Sequence, residues 1–291
     1  MFVILSRLKK KGKYSLVFFL WICYDSYEKK DKTFKTKVRE PMQMDLTRGG
    51  ITRPMLLFAG PMIAGNLLQQ CYNVADTLIV GRCLGKNALA AVGSSFALMT
   101  FLTSILLGLC MGSGAVFSIR FGRRDGDGLR EGAHAAFTLI AAITLALNLL
   151  AFACLDGIRV FLRVPGEVWP MMREYLAVIF CGIAATFLYN YFASFLRAVG
   201  NSVAPLVFLA ASALANIGLD LWFVLGLERG AAGAAEATVI AQYLSGLGIA
   251  AYTLAEHQEL RPGAGRFRLR WGRVREIAGF SILTCVQQSV M

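Results

Sequence analysis

Two carboxylates, Asp76 and Asp220, each stand near the end of a long apolar run, and a hydroxyl, Thr238, stands near the start of another. An ionisable side chain inside hydrocarbon is costly and is retained where it lines an ion or substrate path. Around each of the three, polar residues recur at helical spacing. Gln69, Asn73 and Asp76 fall at i, i+4, i+7; Ser212, Asn216 and Asp220 at i, i+4, i+8; Thr238, Gln242 and Ser245 at i, i+4, i+7. In a helix each trio shares one face. Lipid rejects such stripes, so they are expected to face a bundle interior or a water-filled cavity. Oxygen acceptors gathered there, with lysine and arginine confined to the loops and span ends, would suit a cation or a proton.

The elements that must position these residues are membrane helices. With 56% hydrophobic residues, 16% charged residues and a mean hydropathy of +0.57, the chain carries more apolar surface than a soluble core of this size can hide. The sequence predicts spans near residues 55–80, 89–118, 134–155, 172–196, 203–226 and 233–255, with a seventh beginning near Ile277. Each complete run meets the roughly 20 residues a helix needs to cross the hydrocarbon. The runs are continuous rather than alternating, which excludes a barrel. If the first and fifth spans run outward and the sixth returns, Asp76, Asp220 and Thr238 lie roughly 6–9 Å below the outer ends of their helices, at 1.5 Å rise per residue.

The net charge of +12 orients the chain rather than binding nucleic acid. Of the 30 Lys and Arg, 24 fall before residue 57 or in alternate loops, the loop after span six alone carrying Arg261, Arg266, Arg268, Arg270, Arg273 and Arg275. The positive-inside rule then places the N-terminus in the cytoplasm, and the membrane is expected to be the cell inner (plasma) membrane. Seven scattered cysteines without a CxxC pair, and two distant histidines, His134 and His257, indicate neither a disulfide framework nor a zinc site. No cofactor is expected, and no Ser/His/Asp or Cys/His pattern suggests an enzyme.

Residues 1–48 read as a basic N-terminal extension, disordered or arising from an upstream start, because the apolar run Tyr14 to Cys23 is too short to span. Residues 49–255 read as a six-helix transport lobe, 256–275 as a basic cytoplasmic linker and 276–291 as the truncated start of a second lobe. FAGPMIAGNLLQQ (58–70) is echoed by IAGFSILTCVQQ (277–288), aligning Ala59-Gly60 with Ala278-Gly279 and Gln69 with Gln288. An even number of spans between the two restores the same orientation, as in transporters built from parallel repeats. The segment IRVFLRVPGEVWP (158–170) reads as an amphipathic stretch along the outer interface. The aromatic residues of span four, Phe187, Tyr189, Tyr191, Phe192 and Phe195, would either pack the core or stack on flat cations.

Taken together, GP(x7)QQCYNVADTLIVGRCLGKNALAAVG (60–93), RAVGNSVAP (197–205) and ANIGLD(x12)GAAEAT (215–238) resemble the N-terminal lobe of a multidrug and toxic compound extrusion (MATE) transporter. The resemblance covers about residues 50–291. It implies an all-α integral membrane fold, half of a twelve-helix, two-lobe protein with a V-shaped cavity. It also implies export of drug-like, often cationic small molecules in exchange for H⁺ or Na⁺. By the same resemblance Asp76, Asn216, Asp220 and Thr238 hold the ion, Ala234 offers its backbone carbonyl to it, and Pro61 marks a bend of the first helix. Gln69, Asn73, Ser212 and Gln242 are expected to line the cavity. Glu236 stands where the family has a small or branched apolar residue, and is either an interfacial residue or a third carboxylate of the cavity.

The expected mechanism is alternating access. An ion arriving from outside neutralises the carboxylates, rearranges the hydrogen bonds of Asn73, Asn216 and Thr238, reshapes the first helix near Pro61 and releases the drug. The partners are then the cargo, membrane lipid and the second lobe. The alternatives are a flippase of lipid-linked precursors from the same superfamily, for which several basic residues inside the cavity are expected, and an integral-membrane enzyme.

Overall fold

The computed structural model describes residues 52–162, 164–257, 260 and 271–290, all of which belong to one compact unit, Asp45–Met291. The readings of residues 1–48 and of most of the 256–275 linker lie outside the described residues. The described chain is helical throughout: α1 (Thr52–Cys83), α2 (Lys86–Gly122), α3 (Gly126–Ala153), the short α4 (Leu155–Phe161), α5 (Trp169–Ala198), α6 (Val203–Asp220), α7 (Gly230–Glu256) and α8 (Trp271–Val290). Spans one to seven correspond to α1, α2, α3, α5, α6, α7 and α8. The helices outrun the apolar stretches that foretold them, because helical hydrogen bonding continues beyond the hydrocarbon wherever no residue stops it. At α3 the start is fixed by Asp125, whose side chain accepts from the Gly128 N–H at 2.9 Å.

Among the described residues, five helices are long and apolar enough to cross a membrane: α2, α3, α5, α6 with its extension to Gly226, and α7. The first predicted span is a helix of 32 residues, which at 1.5 Å per residue is about 48 Å long and ample for crossing. It falls outside that set because Asn66, Gln69, Gln70, Asn73 and Asp76 dilute its apolar content. The polar stripe is therefore what separates α1 from its neighbours.

α5 is the spine. It packs against α2, α3 and α7, and its Met172, Leu176, Phe180, Ile183, Phe195 and Leu196 are fully buried. Four of the five span-four aromatics are core residues; Tyr191 packs edge-on to Phe117, Phe137 and Phe192, and its hydroxyl donates to the Ala133 carbonyl at 2.7 Å. α6 packs between α1 and α7, while α8 lies along α2. That last contact is backbone to backbone: a Cβ added at Gly112 would come within 2.5 Å of the Ser281 Cα, and one at Gly108 would collide with the Cα of Cys285. Thr284 donates to the Gly108 carbonyl at 2.6 Å and Ser281 to that of Leu109 at 3.2 Å, so small residues here allow both close approach and interhelical hydrogen bonds.

Immediately after Asp220 the helix widens into a π-helical segment, Leu221–Gly226. Such departures from α geometry concentrate at functional sites. The widened segment ends where the Leu227 N–H reaches the Trp222 carbonyl and the Arg229 N–H that of Phe223.

Candidate functional site

α1, α6 and α7 bring the three polar stripes together. Asp220 and Asn216, one turn apart on α6, are fully buried, and Thr238 of α7 is 6% exposed. Asn216 Nδ2 donates to Thr238 Oγ1 at 3.3 Å. Asp76, half-buried on α1, is near enough to Asp220 for the two charges to interact. Both carboxylate oxygens of Asp220, Oδ1 of Asp76 and Oδ1 of Asn216 are buried and receive no hydrogen bond among the described residues. A buried carboxylate normally holds a donor or a cation, because desolvation without a partner costs several kcal/mol, on the order of that for other buried ions. Four neighbouring oxygens that receive no hydrogen bond are suited to a hard cation or a proton.

Two residues of this cluster escaped the sequence reading. Tyr72 lies beside Thr238, and the charges of both Asp76 and Asp220 reach its phenol. They reach Tyr175 of α5 as well, a residue 8% exposed. Tyr72 had a signal, since it precedes Asp76 by four residues on the same face. Tyr175 had none: it joins the site from another helix through packing against Val80, Val224, Ala234 and Ala235. Ala234, one turn before Thr238, is buried in that same small core.

The remaining candidates occupy other places. Ser212 donates to the Ala241 carbonyl at 2.8 Å and so ties α6 to α7, while Gln242 Oε1 abuts Gly182 of α5. Asn73 donates to Gln70 Oε1 at 3.3 Å on α1 itself. Gln69 and Pro61 line a separate cavity of about 430 Å³ on the N-terminal half of α1, and α1 runs unbroken through Pro61. Glu236 forms an ion pair with Arg229 at 2.6 Å, its side chain 26% exposed.

The MatE family profile matches residues 61–222, more than half of the chain. The chain is 30% identical over 198 residues to a probable multidrug resistance protein of Bacillus subtilis, YpnP, covering 68% of this chain and 44% of that one. It is 26% identical over 246 residues to the probable multidrug resistance protein NorM of Thermotoga maritima, covering 82% and 52%. Among solved structures, an outward-facing multidrug resistance MATE transporter of the MOP superfamily matches with a TM-score of 0.77 at 25% identity, over 84% of this chain and 54% of that one. A MATE structure in a bent conformation matches with a TM-score of 0.73 at 26% identity. The helical fold and the family match define a multi-pass membrane protein of a transporter family. The chain belongs to the MATE family, and it spans about half the length of the relatives it matches.

Proposed function

We propose that the chain forms the first lobe of a secondary active exporter of drug-like, often cationic molecules, driven by inward H⁺ or Na⁺. The observation that supports this reading is the Asn216–Thr238 contact one turn from Asp220, with Asp76 in electrostatic reach of Asp220 and four buried oxygens of these residues without a donor among the described residues. An ion bound there would satisfy those oxygens and cancel the repulsion between the two carboxylates. Exchange then requires ion and cargo to prefer different states, because a ligand that binds both equally shifts nothing. Pro61 supplies the place for α1 to bend, since it leaves the Leu57 carbonyl without its helical N–H partner. Relatives named for multidrug resistance and multidrug export support a drug-like cargo.

On this reading residues 49–255 are the transport lobe, 276–291 open a second lobe with which it works, and the N-terminus faces the cytoplasm of the cell that carries the protein in its plasma membrane. Ala234 contributes a backbone carbonyl, and Gln69 and Asn73 extend the polar path along α1. A flippase would need several basic residues in its cavity, and Arg197 is the one basic residue among those lining the 430 Å³ cavity. The test is Asp76→Asn and Asp220→Asn in the complete two-lobe transporter, with efflux of a fluorescent cation driven by a pH or Na⁺ gradient. Each is expected to abolish coupled efflux; coupled efflux surviving in both variants would remove the assignment.

A further inference from the structure

The cavity of about 430 Å³ is distinct from the carboxylate cluster. Its wall on α1 runs from Phe58 to Gln69, whereas Asp76 lies seven residues, about 10 Å, beyond Gln69 along the helix. Its chemistry has the opposite sign. Its wall is largely apolar, with Met62, Leu107 and Leu206 among its residues, but Asn66 and Gln69 of α1, Ser194 of α5 and Ser202 before α6 add amides and hydroxyls; among the described residues no acidic one lines it, and Arg197 is its charge. Arg197 Nε is buried without a hydrogen-bond acceptor, and among the described residues the guanidinium has no carboxylate partner. Its charge is felt by Tyr189, whose hydroxyl is already spent on the Pro205 carbonyl at 3.1 Å.

A cation in the last turn of α5 would suit the negative end of that helix on its own account. That reason places an arginine here but explains neither the orphaned Nε nor the amides and hydroxyls gathered in the same cavity. A guanidinium offers five donors in a planar fork that matches a carboxylate or phosphate. We propose that this cavity is a binding site for an anionic group, a carboxylate or a phosphate, held by Arg197 with Asn66 and Gln69 as flanking donors. Two sources carry that chemistry: the acidic group of a water-soluble organic molecule and the headgroup of an anionic lipid entering from the membrane. The site stands independently of the ion reading at Asp76 and Asp220.

The experiment footprints Arg197 with phenylglyoxal on the wild-type chain in nanodiscs, read by peptide mass spectrometry, with the exposed Arg123 as internal control. In phosphatidylcholine discs, benzoate or inorganic phosphate is expected to slow modification of Arg197 about tenfold, the scale of a charged hydrogen bond, while benzylamine and the Arg123 rate change nothing. Discs of phosphatidylglycerol without added anion separate the sources: protection there assigns the site to a lipid headgroup, protection by benzoate or phosphate alone to a soluble acid. Benzoate binding is expected to fall at least tenfold in Arg197→Gln and to be partly retained in Arg197→Lys. No protection by any of the three anions, equal protection of Arg123, or wild-type benzoate binding by a folded Arg197→Gln would overturn the proposal. The footprint uses unaltered protein, so it decides the question even if Arg197→Gln does not fold.

Discussion

Replacing Thr238 by valine removes one hydroxyl from the α6–α7 contact without changing the shape of the side chain. Thr238 Oγ1 accepts from Asn216 Nδ2 at 3.3 Å, and both residues are buried. Because Asn216 Oδ1 already lacks a partner, the substitution leaves the whole amide unsatisfied. Stranding one buried donor costs about 1–3 kcal/mol, whereas a typical hydrogen bond is worth about 1 kcal/mol net. Thr238→Val is therefore expected to destabilise the chain by about 1–3 kcal/mol, a factor of roughly 5–150 in the folded-to-unfolded ratio. Asn216→Leu removes the stranded group, so the double variant is expected to lose less than the sum of the two singles, with a coupling of at least about 0.5 kcal/mol. Mixed-micelle unfolding of the four proteins, followed by circular dichroism, measures the cycle. Strict additivity would refute the contact, and a Thr238→Val protein as stable as wild type would refute its energetic role.

Gly112→Leu is expected to push α8 off α2, since even a Cβ at that position meets the Ser281 backbone at 2.5 Å. Mixed-micelle unfolding is expected to show Gly112→Leu less stable than the parent by at least about 1–3 kcal/mol; a variant as stable as the parent would contradict the seam. At the other end of α8, Arg120 is buried, donates to the Gly128 carbonyl at 2.8 Å and pairs with Glu276 at 2.5 Å. Glu276 is 40% exposed, so Glu276→Gln is expected to cost only about 1 kcal/mol. Arg120→Gln, which also removes the bond to Gly128, is expected to cost more; the reverse order in mixed-micelle unfolding would contradict the arrangement.

Helix type and the family were legible from hydropathy and motif, because apolar runs of membrane length admit one backbone solution. The Gln69/Asn73/Asp76, Ser212/Asn216/Asp220 and Thr238/Gln242/Ser245 stripes were legible as faces, since a helix fixes which residues share a side. What each face meets was not. Asn216 meets Thr238, but Ser212 bonds the Ala241 backbone and Gln242 turns to Gly182. A stripe records periodicity along one helix, and a contact depends on how two helices rotate against each other.

The sequence by itself determined that this is a membrane bundle and which of its helices carry buried oxygen chemistry, because the cost of polar groups in lipid acts residue by residue. Only the tertiary structure decided that Tyr72 and Tyr175 share the electrostatic environment of the two carboxylates, that Glu236 pairs with Arg229, and that Arg197 lines a cavity with no acidic residue among the described ones. Those outcomes depend on packing between helices far apart in the chain, where small residues such as Gly108 and Gly112 set how closely the backbones approach.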